Sequence, residues 1–363
     1  MTLFDIATLR LINQQITSSK LKLPNELVAW FGAVQAQEYA QTKWSLGLRL
    51  PHLKDEEIEK DFTDGKILRT HLLRPTWHFV TAQDIRWILK LTSERVNAAN
   101  AYMYRKLELD SSVFHRCQKI LINTLKGNKQ CTRNELNEEF KKEKTIAEGH
   151  RLTYIMMQAE LAGVICSGAR KGNQFTYALL EERVAPAGSF DKDEALSKLA
   201  KQYFTSRGPA TIKDFSTWSG LTLTDCKKGL ETIRSGFIKE TVEGEEYYYP
   251  PGISLNNNTA PGIYLLPIYD ELIMGYKDRS AFLAFKNGLK PNPSFRYDCM
   301  IVSGGQIIGT WKRTITNNSI DILFDFFRPI NKDQNKELDK AIHRFENFMN
   351  MTVNYEKNRT TNR

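Results

Sequence analysis

Two glutamines stand two apart in the run Val34-Gln35-Ala36-Gln37-Glu38-Tyr39-Ala40-Gln41. A carboxamide carries one accepting oxygen and two donating hydrogens and does not ionise, so a pair can hold and orient a water without changing charge. At about 3.6 residues per turn, side chains two apart on a helix point roughly 200° away from each other. Gln35 and Gln37 therefore converge only where a helix ends or the chain is extended; the plain alternative is the polar end of a helix. A second run, Arg69-Thr70-His71-Leu72-Leu73-Arg74-Pro75-Thr76-Trp77-His78-Phe79-Val80, brings two Arg, two His and a Trp into ten residues. Guanidinium groups suit phosphate and an indole suits stacking on a base. The competing account is a hairpin in which Trp77 and Phe79 pack inward while His71 and His78 sit at its rim.

Other chemistries lack their residues. There is no Walker loop, no G-x-G-x-x-G, no G-x-S-x-G elbow and no H-E-x-x-H, which removes support for nucleotide hydrolysis, dinucleotide chemistry, α/β-hydrolase chemistry and zinc hydrolysis. The five cysteines, Cys117, Cys131, Cys166, Cys226 and Cys299, are scattered without a C-x-x-C pair, and read as core thiols of a reducing compartment. No apolar run approaches the roughly twenty residues of a spanning helix. Lys and Arg number 51 against 42 Asp and Glu, a net charge of +9, which suits a polyanionic partner because each neutralised phosphate releases counterions. A merely basic soluble protein is the other reading.

The elements that must position these residues repeat. Between 191 and 250, a helix at 194–205 places Leu196, Leu199, Ala200 and Phe204 on one face, and Gly208-Pro209 ends it. Thr211 opens a short second helix with Ile212 and Phe215. Thr222 then caps a third, with Asp225 in the place of the usual Glu; it sets Leu223, Cys226, Leu230 and Ile233 inward and Thr224, Lys227, Lys228 and Glu231 outward. Gly236 to Lys239, a turn at Glu243-Gly244-Glu245, and Tyr247-Tyr248-Tyr249 read as a hairpin. This is the order of a winged helix, whose third helix is free to enter a major groove. It recurs upstream, from the capping box Thr132-Arg133-Asn134-Glu135 through a helix beginning near Ala147 to a hairpin after Gly163. It recurs again at the N-terminus, with helices at 8–15, 24–34 and 55–62 and a hairpin after Gly65. Beyond 251, β-rich runs at 263–268, 299–303, 306–316 and 320–326 are joined at Gly304-Gly305 and Asn317-Asn318, dipeptides suited to tight turns, and are followed by a helix at 332–349. Asn256-Asn257-Asn258 reads as punctuation. The expected fold is α+β: winged-helix units at 1–82 (with the Gln-x-Gln motif), 83–185 and 186–250, a small antiparallel β domain with a C-terminal helix at 251–353, and a disordered tail at 354–363.

Gln35-Ala36-Gln37, the Arg69–Val80 run, Leu265-Leu266-Pro267-Ile268-Tyr269-Asp270-Glu271 with Gly275-Tyr276-Lys277-Asp278-Arg279, and Ile308-Gly309-Thr310-Trp311-Lys312-Arg313 together resemble the AlkZ-like winged-helix DNA glycosylases. The resemblance runs over nearly the whole chain. It implies tandem winged helices and a β domain around a basic channel for duplex DNA, and excision of alkylated purines, with unhooking of interstrand crosslinks in some members. It implies Gln35 and Gln37 as the catalytic pair, Trp77, His71 and His78 near the lesion, Arg69 and Arg74 near phosphates, and Tyr269, Asp270, Tyr276, Lys277 and Arg279 on a loop beside the same channel.

The chemistry suits two amides. An N7-alkylated purine already carries positive charge, so its glycosidic bond is weakened; what remains is to place a water near C1′ and stabilise the developing oxocarbenium ion. Gln37 is assigned to hold the water and Gln35 to orient it or the sugar. The motif contains no lysine, so a monofunctional enzyme is expected, leaving an abasic site. Double-stranded DNA is the expected partner, with no membrane, no cofactor and no metal, for a cytoplasmic monomer. Two other readings stay open at this point: a DNA-binding protein or regulator without catalysis, and a scaffold whose wings face other proteins.

Overall fold

The computed structural model describes all residues except 187, 189, 254, 256–261, 284–297, 318 and 358–363. The architecture mixes helices with small sheets. The N-terminal segment runs α1 (Leu3–Asn13), α2 (Pro24–Phe31), β1 (Val34–Gln35), α3 (Tyr39–Arg49), α4 (Asp55–Thr63), β2 (Ile67–Leu72) and β3 (Thr76–Thr81). Next come α5 (Ile85–Lys106), α6 (Ser111–Leu125), β4 (Cys131–Thr132), α7 (Arg133–Lys142), α8 (Gly149–Leu161), β5 (Ile165–Ser167), β6 (Thr176–Leu179) and α9 (Leu180–Arg183). A third segment holds α10 (Lys192–Arg207), α11 (Ile212–Ser219), α12 (Leu223–Ile233), β7 (Ile238–Val242) and β8 (Glu245–Tyr249). The last holds β9 (Ile263–Leu266), α13 (Glu271–Met274), β10 (Cys299–Ser303), β11 (Gln306–Ile315), β12 (Ser319–Phe326), α14 (Lys332–Met349) and β13 (Thr352–Lys357). Among the described residues no helix is long and apolar enough to cross a membrane.

Each of the first three segments gathers helices and closes on an antiparallel strand pair: β2 with β3, β5 with β6, and β7 with β8. Local chemistry sets many of the boundaries. Thr132 and Glu135 form the expected capping box at α7, Thr211 caps α11 with Asp214, and Thr222 accepts the Asp225 N–H at the start of α12. Glu243 and Gly244, with φ of 51° and 82°, make the tight β7–β8 turn that only residues tolerant of positive φ can make.

Several expectations need correction. The helix expected at 24–34 stops at Phe31, because Gly32 takes φ 76° and turns the chain out. The sequence reading placed no helix at α3, α5 or α6. Leu223, expected inward, is exposed at the first turn of α12. The final sheet has the order β13-β12-β11-β10-β9 and is not wholly antiparallel, since β13 runs parallel to β12. Residues 354–357, expected to be disordered, belong to that strand. The Gly304-Gly305 turn forms with both φ positive, whereas Asn318 and the 256–258 punctuation lie outside the described residues.

The core is not divided unit by unit. One continuous apolar cluster joins the N-terminal segment, the third segment and the β9–β13 sheet and takes in Ile88, Met157, Leu161 and Cys166 of the second, while a smaller one, built on Leu121, Leu136, Phe140 and Ile155, lies wholly within the second segment. The sheet reaches the N-terminal segment through α3. Trp44 packs its ring 4.8 Å from Phe345 and donates from Nε1 to the Leu265 carbonyl at 2.7 Å. Gly47 is required on the same helix, because a Cβ there would run into the Phe348 ring.

A separate second core predicts separable stability. Phe140→Ala removes a fully buried ring from the smaller cluster, a change costing about 3–5 kcal/mol. Hydrogen exchange followed by mass spectrometry should show amides of α6–α8 losing protection while β10–β12 keep theirs; equal loss in both would mean one cooperative unit.

Candidate active site

Gln35 ends the two-residue edge strand of a small sheet of order β1-β3-β2, and Gln37 follows it in the bend that leads to α3. Gln35 lies opposite His78, and the Ala36 N–H donates to the Trp77 carbonyl at 2.7 Å. The chain is therefore extended at Gln35 and Ala36 and bends at Gln37, beyond the end of α2 and before the start of α3. Directly opposed residues share a face, so Gln35, His78 and Thr70 line one side of the sheet, and Arg69, His71, Trp77 and Phe79 the other.

Gln35 is fixed at both ends. Its backbone N–H donates to Glu271 Oε1 at 2.8 Å and its carbonyl accepts from Thr42 Oγ1 at 3.2 Å. Its side-chain Oε1 accepts from Arg74 Nη2 at 2.9 Å; a guanidinium only donates, so the amide orientation is settled and Nε2 faces elsewhere. Gln35 is 5% exposed, but its Nε2 is not among the sealed polar atoms that lack a partner. Gln37 is half-buried. Its Oε1 meets the Trp77 N–H at a long 3.4 Å, standing in for the next rung of the β1–β3 ladder. Arg69 clamps this end of the segment: Nε donates to the Ala36 carbonyl at 2.9 Å and Nη2 to the Gln37 carbonyl at 3.3 Å. Its guanidinium lies 4.1 Å from the Trp77 ring centroid. Burial draws the Arg69 pKa down to about 10, with Glu160 pulling the other way.

Both open edges of the sheet end on a buried carboxylate. At the β1 edge, Glu271 also accepts from Arg207 Nε at 3.0 Å and Nη2 at 2.6 Å, and from Trp218 Nε1 at 3.2 Å. Arg207 in turn donates to the carbonyls of Phe31 and Ala33, both at 2.9 Å, on the turn that leads into β1. At the β2 edge, the His71 N–H donates to Glu160 at 3.1 Å while the His71 ring pairs with the same carboxylate, and the Arg69 N–H donates to Ser167 Oγ at 2.8 Å. Arg74 closes the loop: one nitrogen holds Gln35 and another the Trp218 carbonyl.

These contacts correct several expected DNA contacts. Asp270 is buried, bonded to Arg49 Nη1 and Nη2 at 2.8 Å each and to Ser45 Oγ at 2.6 Å. Against the upward push of burial, Arg49 and these hydrogen bonds keep its carboxyl below the usual range. Tyr276 is buried too, donating to the Arg207 carbonyl at 2.7 Å beneath Arg10, whose guanidinium is 3.6 Å from its ring; burial pushes the phenol up to about 12. Both residues seat the last segment on the others. His71 and His78 are interior rather than at a rim, and His78 donates from Nδ1 to the Thr76 carbonyl at 2.9 Å. Of the loop, Lys277 is exposed and Tyr269 and Arg279 half-buried, so these keep access to solvent. Trp77 and Arg74 are likewise half-buried.

Sequence reasoning missed the anchors. Glu271 stood in a quoted motif without a role. Arg207 sits eleven residues after Leu196 and three after Phe204, on the buried stripe of α10; a cation on an apolar face was the available signal. Between Trp77, Arg69 and the second segment opens a cleft of ≈ 330 Å³, also lined by Arg133, Asn134, Gln174 and Phe175. No lining side chain carries a carboxylate.

The fold is similar to the solved Streptomyces sahachiroi DNA glycosylase AlkZ, with a TM-score of 0.78 over 98% of this chain and 100% of that one, at 18% sequence identity. By sequence the chain is 23% identical over 309 residues, 79% of its length and 81% of the relative's, to an interstrand DNA cross-link repair glycosylase of Streptomyces sahachiroi. These relatives define the class: an enzyme that hydrolyses N-glycosidic bonds in DNA. The family described as DNA glycosylase AlkZ-like matches residues 28–348, and the chain belongs to it.

Two outcomes test the anchoring. Glu271→Ala strands the Arg207 charge in the interior and should cost about 3–5 kcal/mol in urea unfolding, whereas Glu271→Leu combined with Arg207→Met should recover part of that loss. A double variant no more stable than the single one would place the cost elsewhere. His78 is held well below its ordinary value of 6.5, first by burial and then by Arg74. Below about pH 6.5 the unfolded chain then binds a proton that the folded chain refuses, so stability is full above that pH and falls as pH drops through it. His78→Gln should flatten the stability profile between pH 7 and 5; a slope equal to that of the wild type would assign the loss to other groups.

Proposed function

We propose that this protein is a monofunctional glycosylase for N7-alkylated or otherwise bulky purines in duplex DNA, acting as a monomer through Gln35 and Gln37. The observation that carries the reading is the fixed Gln-x-Gln segment: Gln35 is locked by Arg74 and Glu271, and Gln37, two residues on, remains half open to solvent. Family membership favours excision over the two non-catalytic readings.

In this reading Gln37 holds the attacking water and Gln35, its oxygen committed to Arg74, offers its amide nitrogen to orient water or sugar. The water oxygen bonds to C1′ as the bond to the purine nitrogen breaks. The bonding pair neutralises the purinium ring, the second water proton leaves to solvent, and an abasic sugar remains. Nothing in the step requires a lysine or a metal. The helix groups closing on β2–β3, β5–β6 and β7–β8 are read as three winged-helix units at 1–82, 83–185 and 186–250, followed by the β domain at 251–353, with Arg74, Trp77, Tyr269, Lys277 and Arg279 as the accessible members of the DNA surface. The relative's description as a cross-link repair glycosylase adds interstrand cross-links to the candidate substrates.

Single-turnover release of N7-methylguanine from methylated duplex DNA tests the reading. Loss of an aligned amide from a reacting centre costs about 10²–10³ in rate, so Gln37→Ala should fall by that factor with little change in duplex affinity, and Gln35→Ala should fall as well. Wild-type rates in both variants would remove the pair from the mechanism.

A further inference from the structure

We propose that Arg74 is a positioning residue for the reaction, held by the end of α11, so that the seating of the third segment sets the orientation of the Gln35 amide. The proposal rests on the glycosylase reading and deepens it, since that reading gives Gln35 a task without saying what outside the first segment governs it.

The contacts close into a ring. The Gln35 N–H donates to Glu271 Oε1 at 2.8 Å, and Trp218 Nε1 donates to Oε2 of the same carboxylate at 3.2 Å. The Trp218 carbonyl accepts from Arg74 Nη1, and Arg74 Nη2 donates to Gln35 Oε1 at 2.9 Å. Backbone and side chain of Gln35 are thus held by two arms that meet on Trp218, a fully buried residue next to the last of α11.

Electrostatics and fit both tie Arg74 to that helix end. Its partners are neutral oxygens: the Trp218 carbonyl, the Thr217 carbonyl at 3.5 Å and the Gln35 amide. The last carbonyls of a helix lack intrahelical partners and together carry roughly half a negative charge, which attracts a guanidinium. The approach is close. Leu73 turns the hairpin at φ 56°, and a Cβ on Gly220, just past α11, would run into the Leu73 carbonyl. Gly220 itself has φ 71°, a conformation that glycine adopts without strain. The tip of the β2–β3 hairpin is therefore fitted against the α11–α12 turn.

The effect on Gln35 is selective. A guanidinium only donates, whereas a carboxamide presents an acceptor at one end and donors at the other. Turning the Gln35 amide over sets its NH2 against Arg74, donor against donor. Arg74 thus excludes one of two orientations and leaves Nε2, which is not sealed in the interior, as the end turned to the reaction. A shift of the α11 end carries Arg74 with it and frees the amide. The third segment thereby governs the rate without touching the reacting atoms.

A double-mutant cycle on the whole protein tests this, read as single-turnover release of N7-methylguanine from methylated duplex DNA at saturating protein. Arg74→Ala should slow release by about ten- to a hundredfold, the loss that a misplacement of about 1 Å can cause. In the Gln35→Ala background the same change should cost almost nothing, because no amide is left to align. Gly220→Ala, which presses on Leu73 from the third segment, should slow release severalfold and show the same dependence on Gln35. Arg74→Lys keeps the charge but lacks the planar fork that spans both oxygens, so it should keep duplex affinity and not the rate. Thermal melting checks that each variant is folded; should Arg74→Ala unfold, Arg74→Lys and Gly220→Ala carry the cycle. Equal losses in both backgrounds, or a wild-type rate in the Arg74 variants, overturn the positioning role and leave the glycosylase reading standing. So does weaker duplex affinity with an unchanged rate at saturation, which would make Arg74 a phosphate contact alone. Absence of excision by the wild type overturns both.

Discussion

A sheet of three strands has two open edges, and in a protein interior the N–H groups of those edges must find acceptors. Here each edge ends on a buried glutamate: Glu271 takes the Gln35 N–H of β1, and Glu160 takes the His71 N–H of β2. The consequence reaches beyond the sheet, because each glutamate belongs to a different segment. Glu271 opens α13 of the last segment and is paired with Arg207 of α10, while Glu160 lies in α8. The sheet that carries Gln35 is thereby the common ground of all four segments.

Such an arrangement is costly to build. A carboxylate taken out of water loses several kcal/mol of solvation unless partners surround it. Glu271 is surrounded: two nitrogens of Arg207, the Trp218 indole and the Gln35 amide all point at it. Arg207 is satisfied in the same way by the Phe31 and Ala33 carbonyls and the Ser206 hydroxyl. Because the partners are backbone groups of the turn into β1 as well as side chains, shifting that turn would unpair several charged groups at once. The interaction therefore contributes less as net stability than as a fixed position for residues 31–37, and a fixed position is what two neutral amides need in order to act on a water.

The sequence made the repeated helix-and-hairpin order legible, because the caps at Thr132, Thr211 and Thr222 and the Glu243-Gly244 turn are local devices whose signals are written within a few residues. It hid α3, and the reason is physical. From Thr42 to Arg49 every residue of that helix is buried, so there is no polar face against which an apolar period could be seen. Lys43 and Arg49 read as surface residues until their partners Asp55, Glu59 and Asp270 come from elsewhere in the chain. The same blindness explains Asp270 and Tyr276. A motif shared with a family looks like a binding surface, but these two side chains are held in place by the contacts they make inside. The pair Gln35 and Gln37 was legible as a pair placed where a helix has ended; that Glu271 and Arg74 would hold Gln35 could not be read from spacing, since they lie 236 and 39 residues away.

The way charges are spent around the glutamines also bears on what the proposed reaction can attack. Glu160, Glu271 and Asp270, the carboxylates buried around the sheet and α3, are committed to His71, Arg207 and Arg49. His78, beside Gln35, is kept in its neutral form by burial. Glu38, next to Gln37, stands in water. None of these five groups thus offers a spare proton to a leaving base, and general-acid assistance from them, commonly a factor of about 10²–10⁴, is withheld. An ordinary purine leaves poorly without such help, whereas one alkylated at N7 departs as a neutral molecule because it brings its own positive charge. On the proposed mechanism, discrimination against undamaged DNA then follows from what these ion pairs withhold as much as from what the amides supply.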